Sequence, residues 1–124
     1  IDGAGTVPAP RQRESAMTKY VFTYHAGPDD HGMPESEEEQ AKLMAVWGAW
    51  FETIGANLVD GGNPFAQART VNTDGSVTDG GGVNPATGYG IINAADLDAA
   101  VAVAKGCPVL ANGGNVEVSE AIDM

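Results

Sequence analysis

Cysteine and basic side chains are the two things this chain of 124 residues has least of, with a single Cys107 and six Lys and Arg set against seventeen Asp and Glu. One thiol cannot close an intrachain disulfide, so the fold has to rest on its core, and a reducing, cytoplasmic compartment is expected. Cys107 stands between a helix stop and Pro108 and is expected to act as a small buried apolar residue. Between Met17 and Met124 the basic side chains are Lys19, Lys42, Arg69 and Lys105. These scattered cations in a chain of formal charge -11 make no stripe that neutralises successive phosphates, which argues against nucleic acid as a partner. Apolar runs are also short. None approaches the ~20 residues of a membrane helix, and no basic-then-apolar leader opens the sequence, so no membrane association is expected.

Residues 1–16 (IDGAGTVPAPRQRESA) are rich in Gly, Pro and polar residues and show no periodicity. They are expected to be a disordered arm or a cloning remnant, with one domain spanning residues 17–124. That length supports a single core.

Tyr20 to His25 (YVFTYH) is aromatic and β-branched throughout, which predicts a strand covered on both faces. Tyr20, Phe22 and Tyr24 share one face and Val21, Thr23 and His25 the other. Residues 26–34 read as a loop. Ser36 with Glu39 three residues later is a capping-box signature, and Glu37, Glu38 and Glu39 suit the positive end of a helix dipole. The helix so begun carries Leu43, Trp47, Trp50 and Ile54 at i, i+4, i+7 and i+11, a stripe that calls for burial on a sheet, and Gly55 ends it. A short strand follows at Leu58-Val59. Residues 68–73 and 76–78 flank Asp74-Gly75 as a hairpin. Tyr89 to Ile92 predicts a buried strand. Asn93 is expected to cap a second helix with Leu97, Ala100, Val101 and Ala104 inward, and residues 115–122 alternate as a last strand.

Strand, helix, strand, hairpin, helix, strand is the order of an α+β, ferredoxin-like split βαβ fold, with two helices on one face of an antiparallel sheet. Its second face then needs a cover. A second copy of the chain is the simplest one, and a homodimer with sheets face to face is expected.

Several segments carry a family resemblance: Tyr20-Val21-Phe22-Thr23-Tyr24, LMAVWGAWFETIGANLVDGG over residues 43–62, Arg69-Thr70-Val71, Val77-Thr78-Asp79-Gly80, Tyr89-Gly90-Ile91-Ile92, residues 95–100, Cys107-Pro108 and residues 114–118. In order and spacing they resemble the YCII-related family, in particular its DGPF branch of small bacterial proteins, over about residues 17–122. The resemblance implies a dimeric α/β barrel of ferredoxin-like subunits with a small-molecule pocket between the sheets. It also implies a regulatory accessory role, since such relatives often accompany extracytoplasmic-function sigma factors. Two departures stand out. The family's Asp-Gly-Pro-Phe is Asp79-Gly80-Gly81-Gly82 here, and Met44 stands about where related proteins carry a helix His suggested for acid-base work.

His25 is the leading candidate for chemistry, because an imidazole at a strand end can transfer protons near neutrality. With Asp79 as an orienting carboxylate it would form a catalytic acid-base pair, the basis of a cofactor-independent lyase or isomerase. The simpler role is a strand-end His bonded to a loop carbonyl. Tyr24 can offer a hydroxyl to a ligand, and Arg69 can clamp a ligand carboxylate bidentately, although an exposed strand Arg more often pairs with a nearby acid. His25, Asp29, Asp30 and His31 hold two imidazoles and two carboxylates in seven residues, but their spacing matches no zinc pattern. No metal and no cofactor is expected. Gly80-Gly81-Gly82 lacks the following Lys-Ser or Lys-Thr of a phosphate loop. Trp47 and Trp50 are expected in the core.

Overall fold

The computed structural model describes residues 17–27 and 34–123. They form an α+β fold of two α-helices, a four-stranded antiparallel sheet and a separate two-stranded one. In chain order the elements are β1 (Thr18–His25), α1 (Glu37–Ile54), β2 (Leu58–Asp60), β3 (Arg69–Val71), β4 (Val77–Asp79), β5 (Ala86–Ala94), α2 (Leu97–Ala104) and β6 (Asn115–Glu120). The main sheet runs β2-β5-β1-β6, all neighbours antiparallel, while β3 and β4 pair only with each other. With the inserted hairpin set aside, this order is consistent with the ferredoxin-like arrangement.

Strand β1 lies between β5 and β6 because its aromatic face is the centre of the core. Tyr20, Phe22 and Tyr24 are all buried, opposite Ile92, Gly90 and Gly88 of β5 and Glu120, Val118 and Val116 of β6. Above them the α1 stripe lands as its spacing requires: Trp50 and Ile54 are buried, and Leu43 and Trp47 half-buried. Trp50 stacks on Phe22 with ring centroids 6.0 Å apart, and its indole N–H donates to the carbonyl of Val103 in α2 at 3.2 Å. One side chain thus ties the sheet to both helices. The glycines of β5 make room for this layer, since a Cβ on Gly90 would come within 2.6 Å of the Tyr24 hydroxyl.

Ser36 caps α1 by accepting from the Glu39 N–H at 3.0 Å, and Gly55 ends the helix at φ 64°. The second helix departs from expectation. Asn93 does not cap it: β5 continues to Ala94, pairing Asn93 with Lys19, and Asp96 is the cap, accepting from the Ala99 N–H at 2.8 Å. Cross-strand bonding to β1 overrides the local capping preference of Asn93. Nor is the apolar stripe of α2 inward as a whole; Ala100 and Ala104 are buried, whereas Leu97 and Val101 are exposed. Two alanines let this short helix approach the sheet closely, which leaves its larger side chains on the flank.

The hairpin forms around Asp74-Gly75. Gly75, at φ 89°, donates its N–H to the Asn72 carbonyl at 2.9 Å, and the Asp74 carboxylate accepts from the Ser76 N–H and hydroxyl. This is a tight turn closed by a glycine at positive φ. The acceptor role of Asp74 holds its carboxyl below the ordinary range.

Along β1 the face turned away from the helices is left open. Val21 and Thr23 are only half-buried, so the cover expected for that face is not supplied by the described residues of the chain itself. No helix among the described residues is long and apolar enough to cross a membrane.

Candidate functional site

Strand alternation puts Lys19, Val21 and Thr23 of β1 on the open face; the pairing with β5 shifts register between Tyr24 and His25, both buried, and His25 reaches this side through its contact with Glu117, the neighbour of Thr23 on β6. Tyr89, Thr23 and Glu117 form one rung across β5, β1 and β6; Ile91, Val21 and Ser119 form the next. Phe65 stacks on Tyr89 at 5.8 Å and extends the aromatic edge of this surface. The face is therefore apolar at its centre and polar toward the end where β1 finishes.

His25 closes that polar end. It is 7% exposed, and it is the buried ionisable side chain of the core region outside the aromatic and thiol groups. Its Nδ1 lies 2.9 Å from the Asn84 carbonyl oxygen, in the glycine-rich segment between β4 and β5, and its Nε2 lies 3.2 Å from Oε1 of Glu117 on β6. Close backbone packing fixes the strand end: a Cβ on Gly114 would overlap the His25 carbonyl oxygen, and one on Gly27 would sit 2.5 Å from the Gly113 carbonyl carbon. The imidazole therefore bridges three segments remote in sequence.

Both partners of the ring are acceptors, because a carbonyl has no proton to give and neither has an ionised carboxylate. A neutral imidazole carries one N–H and can satisfy one of them. The imidazolium satisfies both. The ring is thus held through both nitrogens at the polar end of the open face.

The other residues singled out from sequence lie elsewhere. Tyr24, next in the chain to His25, points to the opposite face, where its ring meets Trp47 edge-on at 5.0 Å; burial, with the neighbouring Cys107 sulfur, pushes its phenol up. Arg69 and Asp79 face each other across the hairpin, Nε to Oδ1 3.4 Å, with the Asp79 side chain 96% exposed. A solvent-screened pair of this kind contributes little. Neither ring nitrogen of His25 is bonded to Asp79. Asp29, Asp30 and His31 lie outside the described residues, among which no group of three or more His, Cys, Asp or Glu is placed to hold a metal. Met44 is exposed on α1. Cys107 is buried and its thiol is pushed up to about 11 by that burial.

A separate open pocket of about 280 Å³ lies between the end of α1 and the end of β5, lined by Thr53, Ile54, Asn57, Asn93 and Val103 among others. It has no titratable side chain and so no acid or base to offer.

Glu117 and Asn84 were not singled out in the sequence. Alternation along β6 marks Glu117 only as a solvent-facing strand residue. Its meeting with His25, 92 positions away, depends on β1-β6 register, for which there is no local signal.

Compared with models of known protein families and with curated protein sequences, the chain matches none.

Proposed function

We propose that the chain is one subunit of a YCII-related, DGPF-type homodimer in which two open sheet faces meet as a dimeric α/β barrel, enclosing a small-molecule pocket with His25 and Glu117 at its polar end. The role is binding, of a regulatory kind. The observation that carries this reading is the surface itself: half-buried Val21, Ile91 and Thr23 run continuously into an imidazole-carboxylate pair on the side that no helix among the described residues covers. A half-apolar sheet face of this sort is ordinarily covered in a native protein.

Sedimentation equilibrium at micromolar concentration tests the dimer. The wild-type chain should run at twice its 12.7 kDa mass and Val21→Glu, which sets a charge at the centre of the face, as a folded monomer. A wild-type monomer would sink the proposal. The pocket is tested by a thermal-shift screen of small polar and aromatic compounds, whose hits should weaken in Glu117→Gln. Hits indifferent to that change would move the ligand away from His25.

A second reading, a cofactor-independent lyase or isomerase with His25 as the acid-base group, is favoured by one observation: the ring is already oriented through both nitrogens. In it Glu117 takes the part of the carboxylate partner for which Asp79 was the sequence candidate. Any turnover found should fall at least about a hundredfold in Glu117→Gln and be unchanged in Asp79→Asn.

A further inference from the structure

We infer that the homodimer proposed above is controlled by proton occupancy of His25, which neutralises Glu117 on the buried face when present and leaves it an unpaired carboxylate when absent. The inference rests on the dimer reading and adds its regulation. With His25 charged, one N–H goes to the Asn84 carbonyl and the other to Glu117, and the two opposite charges on the face cancel. With His25 neutral, one of the two acceptors must be given up.

Exposure decides which. The Asn84 carbonyl belongs to the backbone just before Pro85 at the start of β5 and cannot turn away without moving the segment. The Glu117 side chain is 64% exposed and is free to swing into water. The neutral ring therefore keeps Asn84 and releases Glu117. A second sheet docking on this face then buries or displaces an unpaired carboxylate, which opposes association. Protonation favours the dimer.

Other groups near the ring do not duplicate this role among the described residues. On β1 the charged neighbour on the same face is Lys19, separated from His25 by Val21 and Thr23. On β6, Asn115 opposite His25 is uncharged, and Glu120 lies on the helix side opposite Tyr20. On β5 the partner is Ala86. On the β2 edge, Asp60 accepts from the Gly62 N–H at 2.8 Å.

The test is sedimentation equilibrium of the full chain at pH 5.5, 6.5, 7.5 and 8.5 at one ionic strength, for wild type, Glu117→Gln and His25→Gln. The wild-type dimer Kd should rise about tenfold or more from pH 5.5 to 8.5, about the effect of 1.4 kcal/mol. In Glu117→Gln the amide can donate to a neutral ring or accept from a charged one and brings no charge, so the change should shrink to about threefold or less. What remains in that variant measures general repulsion between two acidic subunits. His25→Gln should keep no more than that same residual change if it folds; Glu117→Gln, altered at an exposed side chain, decides the matter if it does not. A wild-type dimer whose Kd is independent of pH overturns this inference and leaves the dimer standing, as does an equal pH slope in Glu117→Gln. A monomer at every pH removes the dimer and this inference with it.

Discussion

The Nε2 of His25 stands 3.2 Å from Oε1 of Glu117, two side chains brought together by cross-strand register from opposite ends of the domain. With Asn84 on the other ring nitrogen, the pair fastens the end of β1 to β6 and to the segment entering β5. Removing the ring should cost stability as well as any chemistry. His25→Ala leaves the Asn84 carbonyl without its donor and should lower unfolding free energy by about 1–3 kcal/mol in urea titrations. Asp79→Asn breaks only an exposed pair and should change it by less than about 0.5 kcal/mol. Equal costs would mean that the hairpin carboxylate supports the core after all.

Trp50 joins both helices to the sheet, so Trp50→Ala should cost about 3–5 kcal/mol and Trp47→Ala, at a half-buried position, clearly less. Chemical denaturation followed by far-ultraviolet circular dichroism measures both. The order would have to reverse for the assignment of the central tryptophan to fail.

Two glycines should respond in opposite directions. Gly62 has φ 73°, and a Cβ there would overlap the Tyr89 carbonyl oxygen, so Gly62→Ala should destabilise by about 2 kcal/mol or more. Gly48 lies within α1 with nothing within 4 Å of an added Cβ, so Gly48→Ala should stabilise by up to about 1 kcal/mol. Melting temperatures moving the same way for both would contradict the packing described.

Asp96, not Asn93, caps α2. Asp96→Ala should therefore cost about 1 kcal/mol through the lost bond to the Ala99 N–H, an effect visible in amide exchange at residues 97–100. Asn93→Ala should leave that exchange unchanged.

Cys107 gives a pH-dependent term whose sign follows from burial. Desolvation raises its thiol from 9.0 to about 11 in the folded chain. Below 9 the thiol is protonated in both states and the native state keeps its full stability. Between 9 and 11 the unfolded chain ionises and the folded one does not, so stability falls as pH rises through that window. The stability advantage of wild type over Cys107→Ala should shrink from pH 8.5 to 11. At pH 8 iodoacetamide should label the native thiol far more slowly than the unfolded one.

Much of the scaffold was legible in the sequence because its signals are local. The Ser36 cap, the tryptophan stripe, the Gly55 stop and the Asp74-Gly75 turn each depend on side chains within a few residues of one another, and each is found as read. The two faces of β1 followed from a period of two. The roles named as commonest for Arg69, an ion pair with a nearby acid, and for His25, a bond to a loop carbonyl, are also present. Local signals failed where a longer-range partner competed for the same group, as when pairing with Lys19 drew Asn93 into β5 and left capping to Asp96. By itself, then, the sequence determined the main elements and their order. Only the tertiary structure decided that Glu117 stands beside His25 and that Tyr24 turns from it, because register and sheet face are settled by packing of the whole core and are written in no single segment.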